Sequence, residues 1–329
     1  MQFFTETLRP NGAKLSAYLF DESEEMKTAS VRPAVLIFPG GGYTMCSDRE
    51  AEPVALAYMG KGFNAFVLRY SVGAEEPFEH SLQDAEAALD YLRENAGRLH
   101  INAQKIAAVG FSAGGHLAAS LGTVSREKPN ALILGYAVTT AKFGPLMGKE
   151  IAPADECVSE DTPPTFLFAT SDDCIVPVEN SLSFAQALAK NDIYFELRVY
   201  LAGPHGISLA TDAVANGARG MANPAVGEWL DASARFLRNV WGGFPLNGTD
   251  ETAPLQRLTR PSVDMAISRL MRNPAAAAVV EKYFPAIQKI TAAEPIVAHF
   301  PLRLVAQYSQ GLLDEETLRR ISGGLEKLP

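Results

Sequence analysis

The chain contains little cysteine. Only Cys46, Cys157 and Cys174 occur in 329 residues. They are odd in number and lack the close spacing of metal ligands. A disulfide framework needs paired cysteines and a structural zinc site needs clustered ones, so we expect neither. The sequence predicts reduced thiols in a cytoplasmic protein, with no metal and no other cofactor.

Positive charge is also scarce. Lysine and arginine total 29 against 38 aspartates and glutamates, which leaves a net charge of −9 at pH 7. The basic residues form no run. An acidic chain of this kind is a poor partner for nucleic acid or for an anionic membrane surface, so we expect neither interaction.

Long apolar runs are missing as well. No run approaches the roughly 20 residues that a membrane-spanning helix needs. Residues 1–6 lack the basic and apolar regions of a secretory signal peptide. These absences exclude an integral membrane protein and favour the cytoplasm as the location.

Short apolar runs alternate with segments of helical spacing. The composition is that of a globular protein, with 47 % hydrophobic and 20 % charged residues. The alternation predicts an α/β fold in which a mostly parallel central sheet carries helices on both faces. The strands are predicted at 15–20, 34–38, 64–70, 105–109, 131–138, 165–169 and 194–200, and the helices at 50–61, 80–95, 116–121, 179–190 and 225–240.

A serine between glycines follows the strand predicted at 105–109. Residues 110–115 read Gly-Phe-Ser-Ala-Gly-Gly, and a helical segment comes directly after them. This G-x-S-x-G pattern is typical of a sharp strand-to-helix turn that exposes a nucleophilic serine, here Ser112. Side chains at Gly110 or Gly114 would collide with such a turn. The pattern alone occurs by chance in roughly one chain of this length in ten, so its surroundings must support it.

Three side chains suited to serine catalysis follow three different predicted strands. Ser112, Asp173 and His205 occur in that order, each in a loop at the carboxyl end of a strand. These ends meet at one edge of a parallel sheet, where ligands bind. His205 would accept the serine proton, and a carboxylate would orient the imidazole.

Competing residues are less well placed. Asp173 is preferred to Asp172 because it lies four residues before Pro177, in the turn that leads into the next helix. His116 lies inside the helix after the elbow, where packing is the better interpretation. The remaining histidines are predicted at the surface or in the C-terminal tail: His80, His100 and His299.

Small residues near the serine are suited to stabilising an oxyanion. Gly41 and Gly42 follow the strand at 34–38 and can present bare N–H groups, and Ala113 directly follows the nucleophile. Tyr43 and Cys46 stand beside these glycines. They are interpreted either as substrate-binding residues or as packing residues.

Taken together, these motifs resemble those of the α/β-hydrolase superfamily. More narrowly, the chain is similar to bacterial acetylxylan-esterase-like and feruloyl-esterase-like carbohydrate esterases. Pro39 stands where many relatives have a histidine. The similarity covers residues 30–240 and is carried by the segments 38–43, 67–70, 110–117, 173–181 and 203–206.

The resemblance implies a serine carboxylesterase that works through an acyl-enzyme intermediate. The implied substrates are short-chain acyl esters, above all acetyl groups on oligosaccharides from plant polysaccharides. Two alternatives stay open: a serine peptidase or arylformamidase-like amidase on the same scaffold, and a non-catalytic binding protein.

The domain organisation changes after the last predicted strand. We expect a catalytic domain at 1–241 with a small cap at 139–163, a glycine- and proline-rich linker at 242–256, and a helical module at 257–329. Three helices are predicted in the module, one capped by Ser262, one around 275–284 and one from Asp314. The sequence does not decide whether the chain forms a homo-oligomer.

Overall fold

The structure is a computed structural model that describes residues 1–10, 12–246, 261–308 and 311–328. The chain divides into two compact units, Met1–Leu255 and Gln256–Pro329. Of the predicted linker, residues 247–256 lie outside the described residues, as do residues 257–260 of the predicted module.

The N-terminal unit is built on an eight-stranded sheet in the order β1-β2-β4-β3-β5-β6-β7-β8. β2 is antiparallel to both its neighbours, β1 and β4, whereas every pair from β4–β3 to β7–β8 is parallel. The strands are β1 (Gln2–Thr7), β2 (Lys14–Leu19), β3 (Arg32–Phe38), β4 (Asn64–Arg69), β5 (Ile101–Phe111), β6 (Ala131–Gly135), β7 (Thr165–Thr170) and β8 (Phe195–Tyr200).

Helices connect and cover these strands. The α-helices of the N-terminal unit are α1 (Glu52–Met59), α2 (Phe78–Glu94), α3 (Ser112–Thr123), α4 (Glu179–Lys190), α5 (Pro224–Gly227) and α6 (Trp229–Trp241). Short 3₁₀ turns lie at Glu24–Ala29, Asp48–Glu50, Ala141–Phe143, Pro145–Met147, Asp212–Val214 and Arg219–Met221. The sheet with helices on both faces is the fold that the sequence predicts.

The central strands are apolar along their whole length because both faces of the sheet are covered. In β3, Leu36 and Phe38 belong to the core on one face, while Val35 and Ile37 belong to the core on the other. Side chains alternate between faces along a strand, so a sheet buried on both sides requires a continuous apolar run.

One strand, β1, was absent from the sequence-based prediction. It lies at the edge of the sheet, pairs only with β2, and exposes much of its surface. An exposed edge strand carries little apolar patterning, so it has no clear signal in the sequence. The helix predicted at 225–240 is two helices, α5 and α6, which meet at Glu228.

The predicted cap, residues 139–163, has little regular structure beyond two 3₁₀ turns. Its first residues are held by Asn180 of α4. The Oδ1 atom of Asn180 accepts hydrogen bonds from the N–H groups of Thr139 and Thr140, and its carbonyl accepts one from the Thr139 hydroxyl. This segment is therefore anchored where it leaves the sheet.

The C-terminal unit is helical in its described part and has its own apolar core, which includes Leu270, Val280, Leu318 and Ile321. Asp314 caps the last helix by accepting a hydrogen bond from the Thr317 N–H. The helices are α7 (Ile267–Arg272), α8 (Pro274–Tyr283), α9 (Ile287–Ala293), α10 (Leu302–Tyr308) and α11 (Glu315–Leu325), with a 3₁₀ turn at Pro295–His299.

Two features of this unit differ from the prediction. Ser262 does not cap a helix: its hydroxyl accepts from the Asp264 N–H in a local turn, and α7 begins only at Ile267. Helices α9 and α10 were not predicted, because each has only seven residues and so shows barely two turns of periodicity. Across the described residues, no helix combines the length and apolarity needed to cross a membrane.

Candidate active site

The nucleophile elbow has the predicted geometry. β5 ends at Phe111 and α3 begins at Ser112, with no loop between them. Ser112 has a φ of 53°, which is rare for a residue with a side chain. A Cβ atom on Gly110 would lie 2.2 Å from the carbonyl oxygen of Gly114, and one on Gly114 would lie 2.1 Å from that of Phe38. Glycine is required at both positions because backbone atoms fill the space.

The three predicted catalytic side chains converge at the carboxyl ends of β5, β7 and β8. The Nε2 atom of His205 lies 2.8 Å from the Oγ atom of Ser112. Its Nδ1 atom lies 2.7 Å from Oδ2 of Asp173. A carboxylate can only accept a hydrogen bond, so Nδ1 donates to Asp173 and Nε2 is the acceptor for the serine hydroxyl. This tautomer is the one that a general base needs.

Asp173 is held as an ionised acceptor. Its Oδ1 atom accepts hydrogen bonds from the N–H groups of Ile175 and Val176, while Oδ2 faces His205. Burial alone raises the pKa of Asp173, but the hydrogen bond and charge of His205 and the two N–H donors outweigh it, so the net pKa is lowered. Asp172 is exposed and accepts from the Gly203 N–H. It therefore supports the start of the histidine loop.

The predicted oxyanion donors lie near Ser112. Gly41 and Gly42 line the same cavity as Ser112, with φ values of 131° and 61°. Ala113 lies in the first turn of α3, where N–H groups have no helical partner. Among the hydrogen bonds of the described residues, none uses the N–H groups of these three residues. They are thus free to donate to a ligand.

A cavity of about 480 Å³ opens over Ser112 and His205. Its wall is largely apolar. Leu146 and Ile175 are exposed at 79 % and 61 %. The lining residues are Gly41, Gly42, Met45, Ser47, Arg49, Glu50, Ser112, Val138, Phe143, Leu146, Met147, Ile175, Val176, His205 and Gly206. The predicted cap contributes Phe143, Leu146 and Met147, so it forms one wall of the site.

The structure places Tyr43 and Cys46 in packing positions instead of the cavity wall. Tyr43 is fully buried, and its hydroxyl lies 2.8 Å from Nδ1 of His116. Cys46 is half-buried against the core, and burial raises the pKa of its thiol to about 11. Their position beside Gly41 and Gly42 suggested substrate contact, but neither residue lines the cavity over Ser112. The packing interpretation is the one that the geometry supports.

Burial also explains His116. Its Nε2 atom lies 2.8 Å from the carbonyl oxygen of Ala152, in the cap segment. Burial lowers the pKa of His116 to about 4, although the contact with Ala152 acts in the opposite direction. Both nitrogens of this neutral imidazole already form hydrogen bonds, so neither is available to accept the proton of Ser112. It serves as a packing residue that ties α3 to the cap.

Glu50 is a site residue that the sequence analysis missed. Its side chain lines the cavity although only 2 % of the residue is exposed. It accepts hydrogen bonds from the Gly40 N–H and from the Tyr136 hydroxyl. Nothing in the local sequence distinguishes this glutamate from the neighbouring acidic residues Asp48 and Glu52. Only the fold reveals its burial.

Within the described residues, no group of three or more His, Cys, Asp or Glu side chains is arranged to hold a metal ion. The cysteines Cys46, Cys157 and Cys174 are all free thiols.

Comparison with known proteins places this geometry in a family. A family model described as BD-FAE matches residues 21–142. The chain is 33 % identical over 235 residues to endo-1,4-beta-xylanase B of Butyrivibrio fibrisolvens, covering 62 % of this chain and 36 % of that protein. It is 28 % identical over 200 residues to the acetylxylan esterase of Xylanibacter ruminicola, covering 54 % of this chain and 42 % of that protein. The chain thus spans less than half the length of these two relatives.

Solved structures match over more of their length. MGS-M1, an alpha/beta hydrolase enzyme from a Medee basin deep-sea metagenome library, is 45 % identical with a TM-score of 0.69. The match covers 72 % of this chain and 96 % of that one. With its sheet order, its elbow and this similarity, the chain belongs to the α/β-hydrolase superfamily, among its esterase-like members.

Proposed function

We propose that the protein is a serine carboxylesterase that removes short acyl groups, most of all acetyl groups, from oligosaccharides derived from plant polysaccharides. The observation that carries the proposal is the hydrogen-bonded chain from Ser112 Oγ through His205 to Asp173, at 2.8 Å and 2.7 Å. The names of two relatives, a xylanase and an acetylxylan esterase, support the choice of substrate.

In the proposed mechanism, His205 removes the proton from Ser112 as the serine oxygen attacks the ester carbonyl. The N–H groups of Gly41, Gly42 and Ala113 stabilise the negative charge that develops on the carbonyl oxygen. One such donor typically lowers the barrier by about 3–4 kcal/mol. His205 then gives its proton to the departing alcohol, which leaves an acyl group on Ser112.

Water completes the cycle. His205 accepts a proton from the water molecule as the water attacks the acyl-enzyme, and returns that proton to Ser112 when the acid departs. Asp173 stays ionised throughout and stabilises the imidazolium that forms in both halves of the reaction. Its lowered pKa supports this role, because the carboxylate then keeps its charge at any pH where His205 can act as a base.

The apolar cavity wall supports an ester substrate with a small acyl group. Val138, Phe143 and Met147 are apolar residues of this wall, while Arg49 and Glu50 are charged residues in the lining. Amide hydrolysis by a peptidase or arylformamidase therefore remains the second candidate, without an observation that favours it. A cytoplasmic location is likewise a prediction, which the three free thiols fit.

A panel of esters tests the proposal. We expect release of acetate from p-nitrophenyl acetate and from acetylated xylo- and manno-oligosaccharides, and little hydrolysis of matched anilides. Ser112→Ala should abolish turnover and labelling by a fluorophosphonate, while its unfolding transition stays close to that of the wild type. Wild-type turnover in Ser112→Ala contradicts the proposed nucleophile. Faster cleavage of the anilides favours the amidase instead.

A further inference from the structure

Glu50 is a buried carboxylate for which the proposed mechanism has no use. It lies in the 3₁₀ turn Asp48–Glu50 that precedes α1. Burial raises the pKa of Glu50, since a charge is costly in a poorly hydrated site. An ionised carboxylate is costly to bury, so its presence beside an active site calls for a physical role.

One carboxylate oxygen holds the oxyanion turn. The Oε2 atom accepts a hydrogen bond of 2.8 Å from the N–H of Gly40, the residue before Gly41. A Cβ atom on Gly40 would lie 2.7 Å from the same oxygen. Glu50 therefore fixes the backbone from which the proposed oxyanion donors project.

The other oxygen reaches the loop that carries His205. The Oε1 atom lies 2.7 Å from the Tyr136 hydroxyl, and that hydroxyl lies 3.0 Å from the N–H of Ser208. An N–H group only donates, so the Tyr136 oxygen accepts from Ser208 and donates its own proton to Glu50. The Ser208 hydroxyl also donates to the carbonyl of Arg49, next to Glu50.

The same arrangement brings Glu50 within electrostatic reach of the base. The ring of Tyr136 packs edge-on against that of His205, with centroids 5.1 Å apart. Hydrogen bonds from Tyr136 and Gly40 and the charges of His205 and Arg49 all act on Glu50. Burial is the main cause of the raised pKa of Tyr70, to which Glu50 adds a smaller effect. The hydrogen bonds to both oxygens of Glu50 favour its ionised form and act against the effect of burial, although the net pKa of Glu50 stays raised.

We propose that Glu50 is a positioning residue for this hydrolase: its carboxylate links the Gly40–Gly41 turn to the His205 loop and adds a second negative charge that stabilises the imidazolium. This inference rests on the proposed function, since it assumes that His205 is the base for Ser112. It adds a residue that holds the Gly40–Gly41 turn through a backbone hydrogen bond and stabilises the protonated His205 through its charge.

The negative charge of Glu50 predicts the direction in which the pH dependence of the rate should shift. A carboxylate near His205 favours the protonated imidazole and so raises the pH below which the base is lost. Glu50→Gln removes the charge and keeps the size. We therefore expect the acid limb of the reaction rate to move to lower pH, by about 0.5–1 unit, while the rate on the plateau falls about 10–100-fold. A purely structural residue would lower the stability but leave the acid limb in place.

The measurement is the rate at which a fluorophosphonate labels Ser112, followed from pH 4 to pH 9. This rate depends on the base and the oxyanion donors but not on the choice of sugar. Glu50→Asp keeps the charge and should keep the wild-type acid limb, with a lower plateau because the shorter side chain loses a hydrogen bond. Tyr136→Phe breaks the link to Ser208 and should lower the plateau without removing the charge.

Tyr58→Phe is the matched control. Tyr58 and Ser233 form a buried hydrogen bond of 2.8 Å that involves none of the site residues, so its loss should cost stability and leave the pH profile unchanged. An acid limb of Glu50→Gln at the wild-type pH overturns the proposal. If Glu50→Gln does not fold, a Tyr136→Phe plateau equal to that of Tyr58→Phe overturns it. A wild-type protein that is not labelled at all refutes the proposed function instead.

Discussion

The hydroxyl of Tyr43 and the Nδ1 atom of His116 lie 2.8 Å apart in a fully buried pair that joins the oxyanion loop to the helix after the elbow. On the other side of the ring, Nε2 faces the carbonyl of Ala152, which only accepts, so Nε2 carries the proton and Nδ1 accepts from Tyr43. A second proton on this imidazole would reverse the hydrogen bond with Tyr43 and place a charge in a fully buried site, which burial disfavours. The site's packing therefore depends on a neutral His116.

This dependence predicts a loss of stability in acid. The pKa of His116 is lowered to about 4 in the folded protein, from 6.5 in the unfolded chain. The stabilisation is complete above the unfolded value and disappears as the pH falls from 6.5 to 4, because the unfolded chain then binds the extra proton. The loss attributable to this residue is about 3 kcal/mol.

Urea unfolding between pH 7 and pH 4 measures the effect. His116→Gln should be less stable than the wild type at pH 7 but lose about 3 kcal/mol less on acidification. His80→Gln, at an exposed position, is the control for replacing a histidine by glutamine. Asp173, whose pKa is lowered from 3.8, contributes below this window. Equal slopes for wild type and His116→Gln would show that the ring is not buried as a neutral group.

The packing of the elbow predicts that one added methyl group at Gly114 strongly destabilises the protein. A Cβ atom on Gly114 would meet the carbonyl oxygens of Phe38 and Pro39 at 2.1 Å and 2.4 Å, and backbone atoms cannot turn aside as a side chain can. Gly114→Ala should therefore destabilise the fold by about 3 kcal/mol or more and reduce activity with it. Thermal unfolding and ester hydrolysis measure both effects.

Gly97 provides the control for this substitution. A Cβ atom there meets nothing within 4 Å. Gly97→Ala should leave both the unfolding transition and the activity close to wild type. Comparable damage from the two substitutions would mean that the close approach of α3 to β3 is absent in solution.

The contacts of the cap predict that a substitution there changes substrate binding (KM) more than the chemical step (kcat). Asn180 accepts from the N–H groups of Thr139 and Thr140, one and two residues after Val138 in the cavity wall. Asn180→Ala leaves these N–H groups without a partner, which costs about 1–3 kcal/mol of stability. We expect KM to rise about tenfold, because the wall loses its order, while kcat falls less than threefold.

Asn191 gives a comparison at the far end of the same helix. Its Nδ2 atom donates to the carbonyl of Val158, near the end of the cap and away from the cavity lining. Asn191→Ala should cost stability without raising KM. If Asn180→Ala lowers kcat and leaves KM unchanged, the cap segment does not shape the binding site.

The three proposed catalytic residues were predictable from the sequence because each has a local signal. Ser112 lies in a glycine elbow, His205 in a Gly-Pro loop and Asp173 before a helix, each after an apolar strand. Parallel strands have their carboxyl ends at the same edge of the sheet, so residues that follow different strands in the sequence are expected to lie close together in the fold. Gly110 was predictable for the same reason, because its close contact is Gly114, four residues along the chain. The close contacts of Gly114, with Phe38 and Pro39, lie far away in sequence.

Other parts of the site depend on contacts between distant residues. Glu50 meets Tyr136 across 86 positions of sequence, and no periodicity or spacing encodes that contact. The direction in which Tyr43 turns is set by its partner His116, 73 positions away. Short elements are hard to predict as well: α9 and α10 have too few residues to show a helical period.

The adjacent pair Asp172 and Asp173 allows a sharp test of the acid. Both carboxylates accept hydrogen bonds, but only Asp173 faces His205, at 2.7 Å, whereas Asp172 accepts from the Gly203 N–H at 2.8 Å. Asp173→Asn replaces an acceptor by an amide that can donate toward Nδ1, which favours the wrong imidazole tautomer. We expect kcat to fall roughly 10⁴-fold with little change in KM.

Asp172→Asn keeps an oxygen that can accept from Gly203 and should retain activity within about threefold of wild type, because uncharged acceptors form hydrogen bonds of ordinary strength. The two variants are isosteric, adjacent and change the net charge equally, so a general electrostatic effect would move both. A large loss in Asp172→Asn together with an active Asp173→Asn would exchange the roles of the two residues. A large loss confined to Asp173→Asn ties the activity to the one carboxylate that touches the imidazole.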